Sequence, residues 1–310
     1  MKIPNTDLGQ MNAIEVCERN EELFVVAAGT VLVEIDRNTG LIETTLVNDD
    51  TSRDIIAIAQ LEDKYLIIRR SSHCIQSVGI AQPLVATWAG RCFASGSTVG
   101  SLQQARFSYP VALEKDPSNP KTIYVIEKKG RVIKIDLEAS PNEVTTLLLA
   151  DFGADFLELT INPGVELFIS TRDSIYSVPL TGDSRTQIAG PSSSNCRDCK
   201  DDHLNAKFNG IRAVSWLSPN ILVISDHSLS YNRMVYLNLN AATKVLIAME
   251  HWQDEGFNLT EDSLTADANH LYIGARGRIA TVPYTSNYKL IPNLPLQLLF
   301  LPPLAPSALV

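Results

Sequence analysis

Cysteine is scarce in this chain. Five residues in 310, Cys17, Cys74, Cys92, Cys196 and Cys199, give an odd count that defines no disulfide framework of the kind that stabilises small secreted domains. Positive charge is also short: 26 Lys and Arg face 35 Asp and Glu, for a net charge of -9. That balance argues against broad phosphate binding, in which a basic surface supplies most of the affinity. The opening MKIPNTDLGQ has no apolar core of a secretory leader, so the expectation is an intracellular protein or a chain whose leader lies upstream. No stretch keeps a helical period over three or more turns, which argues against helical bundles and alternating α/β folds. There is no Gly-x-Ser-x-Gly nucleophile motif and no second Cys-x-x-Cys to complete a zinc site. The five histidines, His73, His203, His227, His251 and His270, fall mostly in turns between outer strands and lack zinc-ligand spacing.

What the chain does contain is one phrase written repeatedly. A short apolar strand, a break and a second strand of alternating pattern recur as ELFVVA/TVLVEID, KYLIIR/CIQSVGI, TIYVIE/RVIKIDL, ELFISTR/SIYSVPL, NILVISD/RMVYLNL and HLYIGAR/RIATVPY. The copies are spaced by roughly 40–60 residues, close to the period of propeller blades. Another apolar run precedes each copy (AIEVC, DIIAIA, PVALEKD) and most are followed by a fourth (LIETTLV, LVATWAG, VTTLLLA). Four short strands separated by Gly, Asn, Asp and Pro are a hairpin pattern, and radial packing is what buries both faces of such sheets. The fold expected is all-β: a six-bladed β-propeller of four-stranded antiparallel blades at about 11–47, 53–90, 105–150, 155–190, 206–249 and 262–289. The tail 290–310 is apolar but carries Pro292, Pro295, Pro302, Pro303 and Pro306, which oppose a membrane helix. It is expected to be irregular, after a closing strand near Tyr288.

Two copies carry a fuller signature. WAG, ending at Gly90, leads through a Gly- and Ser-rich loop to Ala105-Arg106-Phe107, Pro110, a strand and RVIKIDL. IAG, ending at Gly190, leads through a polar loop to Ala206-Lys207-Phe208, a strand ending in Asp226, and NRMVYLNL. This resembles the NHL repeat family over residues 88–140 and 188–240, with Glu127 where the family has Asp and Ile211 where it has Pro. The resemblance implies a propeller whose loop face binds partners. Some NHL propellers bind single-stranded RNA through a basic face with aromatics, which draws attention to Arg106, Phe107, Lys207 and Phe208. With the acidic balance, the expectation is that these phenylalanines pack between blades and the cations lie along the rim. Six-bladed propeller hydrolases hold calcium at the channel mouth, and the family's amidating lyase holds zinc through histidines.

In a four-stranded blade, the link to the next blade and the turn between second and third strands emerge on one face. Cys74 and Cys92 are therefore disulfide candidates. Cys196-Arg197-Asp198-Cys199 has the spacing of a redox motif, half a metal site or a loop staple, and the staple is preferred, leaving Cys17 as a buried thiol. Asn258-Leu259-Thr260 is a glycosylation candidate for a secreted chain. Asp54, Tyr109, Asp155, Arg212 and Asp262 open the innermost strands and are the channel-mouth candidates, with calcium as the one cofactor their carboxylates suggest. The function expected is a non-enzymatic module that binds a protein or glycan, in an extracellular setting, with no membrane span. A metal-dependent hydrolase or lyase at the channel mouth is the alternative, and RNA binding the third.

Overall fold

The structure, a computed structural model, describes residues 11–49, 53–149, 155–182, 184–190, 204, 206, 208, 210–217, 220–228, 231–239, 245–251, 263–267, 269–275, 278–283 and 297–300. The described strands form six antiparallel sheets. The first holds β1 (Met11–Val16), β2 (Leu23–Ala28), β3 (Val31–Asp36) and β4 (Ile42–Asn48). The second holds β5 (Ile55–Leu61), β6 (Lys64–Arg69), β7 (Cys74–Gly79) and β8 (Val85–Gly90). The third adds a two-residue edge strand, β9 (Gly100–Ser101), to β10 (Pro110–Lys115), β11 (Thr122–Glu127), β12 (Arg131–Asp136) and β13 (Glu143–Leu149). The fourth runs β14 (Glu158–Asn162), β15 (Glu166–Ser170), β16 (Ile175–Pro179), β17 (Thr186–Ala189). The fifth runs β18 (Ile211–Leu217), β19 (Ile221–Ser228), β20 (Tyr231–Asn238), β21 (Val245–His251). The sixth runs β22 (Ser263–Ala266), β23 (His270–Ala275), β24 (Arg278–Pro283), β25 (Gln297–Phe300).

Two strands differ from the sequence expectation. Leu-rich β25 lies inside the tail expected to be irregular, where Gln297–Phe300 is a proline-free window between Pro295 and Pro302 and pairs with β24. Tyr288, expected to close the sheet, lies outside the described residues. The second difference is β9, in a segment read as loop: it pairs with Glu143 and Val144 and covers the exposed edge of β13.

Short hairpins follow from turn chemistry. Asp36 Oδ1 accepts the Asn38 and Thr39 N–H groups at 2.9 and 2.6 Å, Asp136 Oδ1 accepts from Glu138 at 2.9 Å, and Asp267 Oδ1 accepts from Asn269 and His270 at 2.8 Å each. These local carboxylate turns reverse the chain where each strand pair ends.

The chain divides into two compact units. Residues 1–55 and 258–310 carry the first and sixth sheets, where β1 packs on β22 and β23. Met11, Ile14, Phe24 and Val26 meet Tyr272 and Ile279 in that core. At its margin Arg37 bonds Asp267 Oδ2 at 2.6 Å and the Tyr272 hydroxyl, and its guanidinium lies 4.7 Å from the Tyr272 ring centre.

Residues 56–257 hold the other four sheets, with β6 against β10, β10 against β14 and β14 against β18. One core joins Leu66, Ile68 and Ile75 to Leu113, Val125 and Ile133, a second joins Tyr124 and Ile126 to Leu159 and Ile169, and a third joins Phe168 and Ile175 to Val214 and Ile224. Strands such as β11, TIYVIE, are buried at all six positions because both their faces meet a neighbouring sheet.

The Ala-Gly and Ala-Arg/Lys-Phe phrases are parts of the same seam. Ala105 and Phe107 are fully buried between the second and third sheets, and Ala206 and Phe208 take the equivalent place between the fourth and fifth. Gly90 has φ +83°, and a Cβ there would stand 2.6 Å from the Phe107 ring. Gly190 has φ +118°, and its Cβ would meet Asp173 O at 2.6 Å. A side chain at either position meets both backbone strain and overlap. Gly90→Ala is therefore expected to cost roughly 2–4 kcal/mol, read as a lowered urea midpoint, and a variant with an unchanged midpoint would contradict this account of the seam.

Candidate functional site

The lead-in loop before β10 is built by successive ties. Cys74, the first residue of β7, is disulfide-bonded to Cys92, with Cα atoms 4.8 Å apart. Phe93 N–H donates to Ser72 O at 2.7 Å, Gly90 N–H to Leu102 O at 2.7 Å and Arg106 N–H to Thr98 O at 2.9 Å. The Arg106 guanidinium turns back onto its own loop, donating to Gln103 O and Gln104 O at 3.0 Å and to Ala105 O at 2.6 Å. Its role is thus to close the loop. Phe93 is left 69% exposed.

A second set of ties joins consecutive sheets. Phe156 N–H donates to Lys128 O at 2.9 Å and Ile211 N–H to Arg172 O at 2.8 Å, so the residue at or just before a first strand bonds the turn between second and third strands of the preceding sheet. At the third sheet Pro110 has no N–H to give. Tyr109 N–H donates instead to the His73 side chain, at 3.1 Å to Nδ1, and the two rings meet edge to face with centroids 4.3 Å apart. Tyr109 O in turn accepts from Lys128 N–H at 2.9 Å. Ser71, His73, Phe93 and Tyr109 all adopt positive φ, between 52° and 64°. Each such non-glycine residue is strained, and these four share one patch.

Beneath this surface lies a buried ion pair. Glu127 Oε1 accepts Ser108 N–H at 2.7 Å and faces Arg131 Nη1 at 3.3 Å, both side chains about 5% exposed or less. Arg131 also donates to Arg106 O at 3.3 Å and to Thr146 Oγ1 at 3.0 Å, leaving Nη2 without a partner among the described residues. Burial pushes the Glu127 carboxyl up, against the opposing pull of Ser108 N–H and Arg131. The fifth sheet repeats the cap: Asp226 Oδ1 accepts Gly210 N–H at 2.9 Å. Sequence reading marked Glu127 only as a departure from the family's Asp; its longer side chain reaches the N–H two residues before β10.

Of the channel-mouth candidates, Asp54 lies just before β5 and belongs to residues 1–55. Tyr109, Asp155 and Arg212 belong to residues 56–257. Asp155 is bound by Lys129 and, at 3.2 Å, by Lys128, and these cations hold its carboxyl below the usual range. Arg212 is exposed, the bulged residue where the β18–β19 register shifts between Ile211 and Ala213. Asp262, Cys196, Cys199 and Asn258 lie outside the described residues. Among the described residues no group of three or more His, Cys, Asp and Glu side chains is arranged to hold a metal ion. Cys17 is buried and not disulfide-bonded. His73 was not singled out in the sequence; Pro110 was the available signal, since its missing N–H calls for another tie.

One titratable group lies apart from this surface. Glu158 opposes Ser170 in the β14–β15 pair, and Ser170 Oγ has no partner among the described residues. Burial pushes the Glu158 carboxyl up to about 7, opposed by the Leu159 N–H at 3.1 Å.

No family model matches the chain, and no curated protein matches it. Solved structures do. A nidogen/laminin complex aligns with TM-score 0.59 and 14% identity over 90% of this chain and 93% of that one. A mitotic checkpoint complex gives 0.55 and 12% over 92% and 80%. An auxiliary nutrient binding protein from Bacteroides thetaiotaomicron gives 0.64 and 13% over 87% and 67%. At such identities the likeness shows the fold alone, an all-β propeller with four-stranded antiparallel blades. No helix among the described residues is long and apolar enough to cross a membrane.

Two outcomes are expected. Arg131→Met strands a buried carboxylate and should cost about 3–5 kcal/mol, while Glu127→Gln in the same chain restores at least half, measured by denaturant unfolding; no recovery would deny the pair its place. For Glu158, the native state keeps a proton that the unfolded chain releases near its ordinary value of 4.5, so stability falls as pH rises from there toward about 7. Glu158→Gln should match the parent near pH 5 and exceed it at pH 8 by on the order of 1–2 kcal/mol; an equal gain at both pH values would count against a raised carboxyl.

Proposed function

We propose that the chain is a non-enzymatic interaction module, a six-bladed NHL-like propeller that binds a protein or glycan partner through its lead-in loop face. The observation that carries this reading is the loop at 91–109: stapled by Cys74–Cys92 and tied at every turn, it presents Phe93 and Tyr109 to solvent at 69% and 44% exposure. Exposed aromatics on a rigid platform are the anchors that protein and sugar partners use, because little freedom is lost on contact. The nidogen/laminin and checkpoint complexes are assemblies built with propellers of this fold, which supports the reading by analogy. The disulfide is compatible with an oxidising, extracellular compartment. In the channel-mouth alternative, a calcium site would need Asp155, whose carboxylate is already neutralised by two lysines.

The test uses arrays of secreted ectodomains and glycans probed with the full chain and with Phe93→Ser/Tyr109→Ser. The expected result is a binder whose affinity falls at least tenfold in the double variant while its melting temperature is unchanged. Binding indifferent to both residues would move the site elsewhere. Turnover of lactones or esters that chelation abolishes and Asp155→Asn reduces would replace this reading with the hydrolase.

A further inference from the structure

The ties described above run in one line across four sheets. Phe93 is bonded to Ser72 and His73 to Tyr109; Tyr109 is bonded to Lys128, Lys128 to Phe156, Leu157 to Ser170 at the end of β15, and Arg172, just beyond it, to Ile211. The exposed residues of residues 56–257 along this line therefore form a continuous strip. It carries three apolar side chains open to water, Phe93, Tyr109 and Leu157. It also carries three exposed arginines, Arg91, Arg172 and Arg212, none with an ion pair or side-chain hydrogen bond among the described residues. The chain as a whole is acidic, and among the described residues of this strip these guanidinium groups, with Lys128 and Lys129, outnumber the carboxylates Asp155 and Asp173.

We propose that this strip docks an acidic polypeptide segment bearing an apolar or aromatic anchor. The inference rests on the interaction-module reading and adds the chemistry of the partner. Guanidinium groups pair with carboxylates through two parallel hydrogen bonds, a geometry that separated arginines offer one by one. The aromatic centre between them supplies the desolvated contact that makes such pairs effective. Phe93 and Tyr109 are held in left-handed backbone, at φ 64° and 52°, with 69% and 44% of their surfaces exposed and the Tyr109 ring edge-on to His73. Strained backbone that leaves a ring partly exposed fits a preformed anchor site. Nucleic acid fits less well. Lys128 and Lys129 are committed to Asp155, and the net charge of -9 repels an extended polyanion at range, whereas a short segment is held by its apolar contact.

The experiment pans a phage-displayed 12-residue peptide library against the full chain with its disulfide intact, and measures selected peptides by fluorescence anisotropy. The expected pool is rich in Asp and Glu around Trp, Phe or Leu, and its peptides bind at least tenfold more weakly to Arg172→Glu/Arg212→Glu and more weakly as salt is raised. Circular dichroism should show both variants folded, since neither side chain is packed. A pool without acidic bias that still depends on Phe93 overturns the acidic partner and leaves the interaction module standing. A failure to select any peptide sensitive to Phe93, Tyr109 or the arginines overturns both. An oligouridine 20-mer that binds, depends on Arg212 and displaces the peptides assigns the strip to nucleic acid and overturns this proposal.

Discussion

Everything in this protein follows from second strands that are apolar on both faces. β2 is LFVVAA and β11 is TIYVIE, each buried from end to end. A lone four-stranded sheet leaves such a strand half wet, and on the order of 25 cal/mol per Å² of apolar surface then acts to bring a second sheet against it. The contacts β6 to β10, β10 to β14 and β14 to β18 are that requirement met in sequence order. Each sheet depends on its neighbour, as in other repeat architectures. The loops between sheets must therefore cross a seam without leaving a gap or an unpaired polar group.

Two solutions at the seams have different chemistry. Phe107 fills the space beside Gly90, whose missing side chain admits the ring, and the missing side chain of Gly190 admits the Asp173 carbonyl, while Phe208 is buried in the core of the fourth and fifth sheets. Glu127 and Asp226 answer the polar problem by accepting the N–H groups of Ser108 and Gly210. The carboxylate at the seam between the second and third sheets is buried deeply enough to need Arg131 as well, and that arginine's bonds to Arg106 O and Thr146 carry the tie into the loop above. A structural ion pair thus sits directly under the surface proposed to bind. Its burial suits a rigid platform better than a site that titrates.

Much of the architecture was legible because it depends on composition repeated along the chain. The paired apolar runs recur along the chain, and the Ala-Gly and buried Phe of the two lead-in phrases reflect one steric demand met at two seams. The Cys74–Cys92 bridge was legible for a similar reason, since strand order alone places both residues at one end of a sheet. What the sequence hid were relations that depend on one proline or one neighbour. Pro110 transfers a backbone bond to His73, and Asp155, read as a channel-mouth carboxylate, spends its charge on Lys128 and Lys129 from the preceding sheet. The two-residue β9 and the four-residue β25 escaped because such short strands carry no period; pairing with an existing edge defines them.

Backbone strain separates the proposed surface from ordinary turns. Glu62 and Asn220 also adopt positive φ, at 49° and 73°, but each is alone in a hairpin between a first and a second strand, where left-handed residues are a common way to reverse the chain. Ser71, His73, Phe93 and Tyr109 come from a strand-to-strand turn and a long loop, and no single reversal needs all four. They are held by Cys74–Cys92, the Phe93–Ser72 bond and the Tyr109–His73 bond acting together. If the purpose were folding alone, the rings of Phe93 and Tyr109 would turn inward, because each buried aromatic contributes stability that an exposed one does not. Holding them outward against conformational preference is what a surface prepared for another molecule requires, and the exposed arginines on either side set the charge that molecule must bring.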